Sequence, residues 1–529
     1  MTVTVNVEKH PSKNFGELFW RPVALYPDKT VIQQGEVSLT YADLDARTQQ
    51  VAAALARLGI GKDDKVMLLM TNDYRFVESL FGIIRIGAVA VPANIKLGND
   101  ALIYIAEHSD SRILVAHEEL ADRAQAIHDG VANVEHTLLV DGDMPGMLDY
   151  ETLLAAELDS FTTAEVEDDD VAMMMYTSGS TGRPKGCLLS HASKWWTARS
   201  NTRAMMHVQS DRALIVGPLY HANALWGSLM PMLYVGGSAA ILPGFAAVPV
   251  IEAIDRHKPT FMSGTPSMYS LMLAEREALR VNDVTSFEFL SCGSAPVPEE
   301  LMQEINRVFG CEVVESYGLT EAGANVLTPR WGLKKLGSCG LPVMDVQIRI
   351  VDLEDDTRNC EPGEIGELWS KGPPNLIGYY KQPDVTAEKM TPDGYVKSGD
   401  LVYADEQGYI YFQGRVDDMI NCGGENVYPK EVETIILAHP AVADVSVVSA
   451  RHQVKGEAPV AWVVLHKGED TDEMALKQFF FANGPAYAHP RRVFFLEEIP
   501  VSGTNKIDRK WLTEEAARRI PQGITGGMG

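Results

Sequence analysis

The sequence has few cysteines and a deficit of positive charge. Its 529 residues include six cysteines, none spaced as a CxxC pair, which argues against a zinc or redox site built on such a pair. Free thiols are typical of a reducing compartment, so we expect a cytoplasmic protein. Lys and Arg number 46 against 72 Asp and Glu, giving a net charge of −26. Because nucleic acid would be repelled by such a surface, no nucleic-acid partner is expected.

Signals for secretion and for membrane insertion are also missing. The N-terminal segment MTVTVNVEKHPSKNF lacks the apolar core of a signal peptide. Residues 213–251 contain no Asp, Glu, Lys or Arg, but repeated glycines and prolines interrupt them. A single spanning helix needs about 20 uninterrupted apolar residues. We therefore predict a buried strand–helix–strand segment there and no membrane span.

What is present is an ordinary globular composition arranged in an α/β pattern. Apolar residues make up 46% and charged residues 22%, which excludes a disordered chain, a collagen and a coiled coil. The length suggests two to four domains or subdomains. Short apolar runs at 65–70 and 88–92 flank a helical pattern at 76–86, and the alternation continues beyond them. This alternation predicts parallel sheets covered by helices.

The pattern changes towards the C-terminus. Residues 343–415 are rich in β-type runs and turn pairs, which predicts a small β-rich subdomain within a large domain of residues 1–415. From residue 416 to 529, a helix starting at Pro429 and strands at 443–449 and 460–465 predict a small α+β domain. The expected fold is thus α/β, with a large N-terminal and a small C-terminal domain.

The segment YTSGSTGRPKG, residues 176–186, combines glycines, hydroxyls and one lysine. Glycines let backbone N–H groups approach an anion closely, hydroxyls add donors, and Lys185 adds charge. The composition favours a phosphate-binding loop, although a plain surface loop has similar content. Pro184 stands where the P-loop pattern requires glycine, so that motif is excluded.

This segment resembles the nucleotide-phosphate loop of the acyl-adenylate-forming superfamily. The superfamily includes acyl-CoA synthetases of the 4-coumarate-CoA ligase type, amino-acid adenylation domains and firefly-type luciferases. Further motifs similar to those of the family follow in the same order over more than 300 residues. The resemblance implies ATP, Mg²⁺ and, for the CoA ligases, CoA as reaction partners, and it implies a mobile C-terminal domain.

The resemblance assigns a set of nucleotide-binding residues in the large domain. In ESYGLTE, residues 315–321, it implies an adenine contact for Tyr317, a phosphate contact for Thr320 and a Mg²⁺ ligand in Glu321, a hard carboxylate oxygen that suits this ion. Thr320 and Glu321 are also expected to be catalytic. The remaining residues are those of the loop, of the turn SCGSAP and of the strand before Thr320: Thr177, Ser178, Gly179, Ser180, Thr181, Gly182, Lys185, Gly293, Ser294, Ala295, Pro296 and Gly318.

Further assignments fall near and within the C-terminal domain. The resemblance implies that Asp400 binds the ribose, that Arg415 contacts ribose or phosphate, and that Asp417 is the hinge. Gly423 and Gly424 would line the tunnel for the CoA thiol arm, although Asn421 stands where a lysine is common. Lys506 would contact the reacting carboxylate and the α-phosphate as a catalytic residue, despite Asn505 replacing the usual preceding glycine.

The acid pocket is expected from family position around the segment PLYH, residues 218–221. His221 would lie beside the reacting carboxylate or at the entrance for the thiol, as a catalytic residue. Aromatic walls and glycines would leave a slot for a flat group, and Asn223 could bind a ring hydroxyl. The implied lining residues are Tyr220, His221, Asn223, Trp226, Gly293, Tyr317, Gly318 and Leu319.

The sequence therefore predicts an AMP-forming ligase that makes an acyl-CoA from a small carboxylic acid through an acyl-adenylate. A hydroxycinnamate such as ferulate or coumarate is the preferred acid, and a medium- or long-chain fatty acid is the alternative. An amino-acid adenylating enzyme that loads a carrier protein and a luciferase-like oxidase remain rivals. A non-catalytic nucleotide sensor is disfavoured because Lys506, Thr320 and Glu321 are all present. A homodimer is left open.

Overall fold

The computed structural model describes residues 12–155, 161–177, 183–293, 297–328, 333–423, 425–501 and 507–524. Contacts between Cα atoms divide the chain into two compact units. The first comprises residues 1–348 and 370–396, and the second comprises residues 349–369 and 397–529. The domain boundary expected at residues 415–416 stays a prediction. The predicted fold class is confirmed: the chain is α/β, with a large N-terminal part and a small C-terminal domain.

A nine-stranded sheet forms one half of the first unit. Its central strands run parallel, whereas the strands at both edges run antiparallel to their neighbours. In spatial order the strands are Leu341–Pro342, Gly323–Leu327, Glu312–Leu319, Phe289–Gly293, Phe261–Gly264, Arg212–Ile215, Ser238–Ile241, Thr30–Gln34 and Val37–Thr40.

An eight-stranded sheet forms the other half of the first unit. It is parallel except for one end, where two strands form an antiparallel hairpin and a third short strand pairs antiparallel with the outer one. In spatial order the strands are Gly378–Tyr379, Lys185–Ser190, Val171–Thr177, Val89–Pro92, Lys65–Leu69, Ser111–His117, His136–Val140 and Leu148–Asp149. The strands predicted at 65–70 and 88–92 are confirmed.

Helices connect these strands, and local sequence sets several of their starts. Thr40 and Asp43 form a reciprocal capping box, and Asp73 caps the next helix with its side chain. The α-helices are Trp20–Leu25, Tyr41–Arg57, Tyr74–Arg85, Asn99–His108, Ala121–Gly130, Tyr150–Ala155, His191–Ala204, Ala222–Ala224, Met230–Val235, Ala247–His257, Pro266–Ala274, Arg276–Val281, Glu299–Phe309 and Pro383–Lys389. Short 3₁₀ turns occur at Phe15–Glu17 and Glu118–Leu120.

The uncharged stretch from residue 213 to 251 forms core. It supplies most of the strand Arg212–Ile215, a helical segment from Ala222 to Val235 and the strand Ser238–Ile241. Both strands are almost entirely buried, as central parallel strands are. The predicted strand–helix–strand arrangement is thus confirmed. Across the described part of the chain, every helix is too short or too polar to span a bilayer.

The second unit holds most of a four-stranded sheet and all of a five-stranded sheet. The strands of the first are Gln347–Val351, Gly366–Lys371, Val396–Ala404 and Ile410–Arg415. Those of the second are Glu425–Val427, Ile420–Cys422, Gly456–Leu465 and Val442–His452, with Arg492–Phe495 beside Gly456–Leu465. Its helices are Pro429–Leu437, Glu473–Asn483 and Arg509–Arg519, with 3₁₀ turns at Val416–Asp418 and Ala486–Ala488. Pro429 occupies the first turn of its helix, as expected.

Candidate active site

A β-hairpin carries the candidate phosphate loop in the first unit. The strands Val171–Thr177 and Lys185–Ser190 are antiparallel, and Thr177 lies directly opposite Lys185. Thr177 and Lys185 therefore tie both ends of the loop to one sheet. The predicted phosphate ligands within the loop lie outside the described residues: Ser178, Gly179, Ser180, Thr181 and Gly182.

A second hairpin presents Thr320 and Glu321. The strands Glu312–Leu319 and Gly323–Leu327 pair antiparallel with Leu319 opposite Gly323, which places both side chains in the connecting turn. Gly323 has φ of +67°, a left-handed conformation that favours glycine. The N–H of Ala322 donates to the carbonyl of Leu319 at 3.1 Å and closes the turn.

The structure brings the two hairpins together at the carboxylate of Glu321. The hydroxyl of Thr177 donates to Oε1 of Glu321 at 3.1 Å, and the hydroxyl of Tyr379 donates to the same oxygen at 2.9 Å. The N–H of Leu376 donates to the Glu321 carbonyl at 2.8 Å, which fixes the main chain. Two motifs 144 residues apart in sequence therefore form one cluster.

Tyr379 is a member of this cluster that the motifs do not contain. It lies in the short strand Gly378–Tyr379, which pairs with Lys185–Ser190 so that Tyr379 faces Cys187. The Nζ atom of Lys185 lies 5.6 Å from the centre of the Tyr379 ring. In the sequence its only local signal is a pair of adjacent tyrosines after a glycine, which indicates no particular role.

The donor set fits a magnesium ion that arrives with nucleotide phosphates. Among the described residues, no group of three or more His, Cys, Asp and Glu side chains could hold a metal by itself. Many Mg²⁺ sites nevertheless use only one well-positioned carboxylate of the protein, because substrate phosphates and water supply the other oxygen ligands. Glu321, held in place by two hydroxyls, would be that ligand.

A buried thiol lies next to the Thr177–Glu321 pair. The hydroxyl of Thr177 lies 3.7 Å from Sγ of Cys187, which is fully buried. Burial, reinforced by the charge of Glu321, raises the pKa of the Cys187 thiol well above its usual range. Because a thiol must ionise to act as a nucleophile, Cys187 is inert and serves packing.

Gly293 is required by strand packing. It pairs with Ser316 on the parallel neighbouring strand, and a Cβ atom at Gly293 would lie 2.6 Å from the Ser316 carbonyl oxygen. Tyr317 and Gly318 continue this neighbouring strand, where a register shift between them interrupts the ladder. Tyr317 is half-buried and Gly318 is exposed. Of the predicted adenine turn, Ser294, Ala295 and Pro296 lie outside the described residues.

Four of the predicted acid-pocket residues lie at the start of one helical segment: Tyr220, His221, Asn223 and Trp226. His221 precedes the helix Ala222–Ala224, and its carbonyl accepts from Leu225 at 3.1 Å. Trp226 follows in a π-helical turn, Leu225–Leu229, before α-helix resumes at Met230. Such turns are rare and are frequently found at functional sites.

The two large aromatic side chains of this group other than His221 are buried. Tyr220 and Trp226 are 6% and 3% exposed, and burial raises the pKa of Tyr220 to about 12. The rings of Tyr220 and His221 lie 5.2 Å apart. The amide oxygen of Asn223 already accepts a hydrogen bond from Ser263 at 2.6 Å. Leu319, half-buried, packs against the same hydrophobic core.

The second unit holds the other predicted site residues. Asp400 and Arg415 lie opposite each other on antiparallel strands, with Nη1 of Arg415 3.0 Å from Oδ1 of Asp400. Asp417 lies in the 3₁₀ turn Val416–Asp418, directly after that strand. Gly423 has φ of +71°, and its N–H donates to the carbonyls of Asn421 and Lys455. Gly424 and Lys506 lie outside the described residues.

Comparisons with known proteins identify the family of this chain. Residues 19–380 match the family model of the AMP-binding enzymes, and residues 431–506 match that of their C-terminal domain. A feruloyl-CoA synthase from Amycolatopsis sp is 34% identical, covering 94% of this chain and 98% of the relative. A 2-succinylbenzoate–CoA ligase from Geobacillus sp. (strain WCH70) is 31% identical, covering 95% of this chain and 97% of the relative.

Solved structures show the same fold. An anthranilate CoA ligase in complex with anthranoyl-AMP superposes with a TM-score of 0.88 at 26% identity, covering 96% of this chain and 98% of that one. The resemblance found in the motifs is thus confirmed along nearly the whole chain. The chain belongs to the family of AMP-binding enzymes, and it is an AMP-forming acyl-CoA ligase.

Proposed function

We propose that this ligase activates an aromatic carboxylic acid, preferably a hydroxycinnamate such as ferulate or coumarate. The observation that carries the proposal is the pair of buried aromatic side chains, Tyr220 and Trp226, at the predicted acid pocket. Flat rings pack well against such walls in offset or edge-to-face contacts. The relatives named for feruloyl and 2-succinylbenzoate substrates support an aromatic acid, since both align over more than nine-tenths of this chain.

In the first step, a carboxylate oxygen of the acid attacks the α-phosphorus of ATP. The bond from that phosphorus to the bridging oxygen breaks, and pyrophosphate leaves with the electron pair. The protein forms no covalent bond and contributes by positioning and by fixed charges. Thr320 would donate to the α-phosphate, Lys185 would neutralise phosphate charge, and Lys506 would contact both reacting anions. Mg²⁺ bound at Glu321 would neutralise charge on the phosphates.

In the second step, the thiol of CoA attacks the acyl carbon and AMP leaves. His221 would lie beside the reacting carboxyl group or at the thiol entrance, and Gly423 and Gly424 would border the thiol arm. Tyr317 would contact the adenine, while Asp400 and Arg415 would hold the ribose and phosphate. A turn of the C-terminal domain about Asp417 would separate the two steps, as hinge motions do in other enzymes.

A fatty acid remains a second candidate because Tyr220 and Trp226 share one hydrophobic cluster with Leu225 and Leu229. These side chains could equally border a tunnel for an alkyl chain. Such a pocket would favour octanoate over any ring-bearing acid.

The test is a pyrophosphate-release assay with ferulate, coumarate, 2-succinylbenzoate, anthranilate and octanoate, each with and without CoA. We expect AMP and an acyl-CoA only when CoA is present, and kcat/KM for ferulate or coumarate at least about tenfold above that for octanoate, equivalent to about 1.4 kcal/mol. A tenfold preference for octanoate would overturn the aromatic acid and leave the ligase class intact.

A further inference from the structure

A lysine is buried in the core of the first unit. Lys194 lies on the helix His191–Ala204 and is 0% exposed. Its Nζ atom lies 3.5 Å from the centre of the Trp226 ring, and it has no hydrogen-bond partner among the described residues. A contact with an aromatic face recovers only part of what an ammonium group loses when it leaves water. The charge of Lys194 is therefore poorly compensated.

A second buried donor lies beside this lysine. The indole N–H of Trp226 also lacks an acceptor within the described part of the chain. Buried polar groups in native proteins nearly always find a partner. An oxygen atom brought by a ligand would supply the acceptor that these two neighbouring donors lack.

The surroundings of Lys194 contain no anion in the described residues to neutralise it. The titratable group that acts on it is Cys187, whose raised pKa keeps the thiol neutral. Burial lowers the pKa of Lys194 to about 7, so the ammonium and amine forms are close in free energy. An anionic or strongly polar ligand oxygen would favour the ammonium form.

Lys194 lies against a side chain that is predicted to line the acid pocket. The reacting carboxylate is expected near Thr320 and Lys506, whereas Lys194 contacts Trp226, which is expected in the pocket wall. We propose that Lys194 determines specificity by donating to an oxygen acceptor at the end of the acid away from its reacting carboxylate. This inference rests on the proposed function, in which Trp226 lines the acid pocket. A phenolic oxygen and a second carboxylate are the two sources of such an acceptor.

A matched series of acids tests the inference. Cinnamates that carry a 4-hydroxyl, a 4-carboxylate or a 4-methyl group share one reacting carboxylate and differ only at the far end. For the wild-type enzyme we expect kcat/KM for the 4-hydroxy or 4-carboxy acid to exceed that for the 4-methyl acid at least about tenfold, by analogy with sites built to bind a substrate hydroxyl. Whichever of the two acids is preferred identifies the source of the acceptor.

The variant Lys194→Met keeps the length of the side chain and removes the donor. We expect it to bring the three acids within about threefold of one another. Thr197→Val is the matched control, because it removes a buried hydrogen bond to the Ser193 carbonyl on the same helix. It should keep the wild-type preference. An equal loss for all acids in Lys194→Met would place the lysine at the reacting carboxylate and overturn the inference.

Two further measurements test the role of Lys194 if the enzyme rejects cinnamates or if the variant does not fold. If the wild-type enzyme rejects all cinnamates, the aromatic function fails, and octanedioate against octanoate then tests Lys194 in the same way. If Lys194→Met does not fold, the wild-type ratios decide, and a ratio near one overturns the inference. A lysine kept for packing would also give a less stable Lys194→Met protein, whereas an uncompensated buried charge predicts an equal or higher Tm.

Discussion

Two parts of the candidate site differ in how their polar groups are satisfied. In the nucleotide side, formed by Thr177, Glu321 and Tyr379, two hydroxyls donate to one carboxylate. In the acid side, formed by Lys194 and Trp226, two buried donors have no acceptor among the described residues. The first arrangement is complete before any substrate binds, which preorganises it. On the proposed function, a ligand would complete the second arrangement, which would therefore favour acids that bring the missing acceptor.

The largest effect is expected from the loss of the positive charge of Lys506. Lys506 is predicted to contact the reacting carboxylate and the α-phosphate, so Lys506→Ala should lower the rate of adenylate formation at least about 10²-fold for every acid. Conversion of a supplied acyl-adenylate to acyl-CoA should be nearly normal. Pyrophosphate release and acyl-CoA formation, measured separately, check both statements.

The exposed Lys510 supplies the control for Lys506. Lys510→Ala should leave both steps close to wild type, because an exposed lysine interacts weakly with distant charges. Normal adenylation by Lys506→Ala would show that its assignment is wrong.

A substitution at the predicted hinge, Asp417→Pro, should leave adenylate formation intact and block the formation of acyl-CoA. Proline fixes φ near −65° and is tolerated early in a helical turn, so Asp417→Pro should stiffen the turn Val416–Asp418 without unfolding it. We expect adenylation to persist and acyl-CoA formation to fall at least about tenfold, as when a gating motion is lost. Asp417→Ala, which keeps the N–H and a free φ, is the control. Acyl-CoA formation at the normal rate in Asp417→Pro would show that the chain does not pivot there.

A smaller effect is expected from the nucleotide side alone. Tyr379→Phe removes one hydroxyl that donates to Glu321, and a hydrogen bond to a charged group contributes about 1.5–3 kcal/mol. We expect kcat/KM for ATP to fall about tenfold and the Mg²⁺ concentration for half-maximal rate to rise. Tyr380→Phe, which removes a hydrogen bond of 2.7 Å to Asp110, is the control and should change neither value. Equal losses in the two variants would contradict a role through Glu321.

The smallest effect concerns Lys194 and appears in the pH dependence of the free energy of unfolding. Because the pKa of Lys194 falls from 10.5 to about 7 on folding, the unfolded chain holds more protons between these values. The free energy of unfolding of the wild type should therefore rise with pH above about 7. Lys194→Met lacks this rise, so its advantage in Tm, on the order of 2–4 °C below pH 7, should shrink towards pH 9.

The control for this trend is Lys258→Met. Lys258 is paired with Asp255 and Asp283, which raise its pKa, so it does not change charge on folding in this pH range. Thermal unfolding at about pH 6, 7.5 and 9 measures both variants against the wild type. A constant difference between Lys194→Met and wild type would show that Lys194 stays charged throughout.

Much of the fold follows from local sequence. The apolar run at 65–70 becomes the buried strand Lys65–Leu69, and Pro429 starts its helix, because periodicity and φ preference act within a few residues. The phosphate-loop motif is also local, and its ends are paired in a hairpin. The charge-free residues 213–251 could be assigned to core because glycines and prolines exclude a long helix.

The two contacts that distinguish the site could not be predicted. Tyr379 reaches Glu321 across 58 residues, and only the pairing of the strand Gly378–Tyr379 brings them together. The helix His191–Ala204 buries a lysine, a histidine, a serine and two threonines, so its sequence shows no clear apolar face. Lysine is rarely buried, so Lys194 carries no signal of its environment.

The π-helical turn Leu225–Leu229 separates two helical segments by one additional residue per turn. A π-helical turn takes up its additional residue within one wide turn, so deleting a single residue there would restore α-helical hydrogen bonding with little rotation of the flanking segments. The strand Arg212–Ile215 before it and the helix after it would both keep their own packing. A change of length by one residue can therefore alter the side chains of Leu225–Leu229 alone, which would border the acid pocket on the proposed function, while the fold around them is kept.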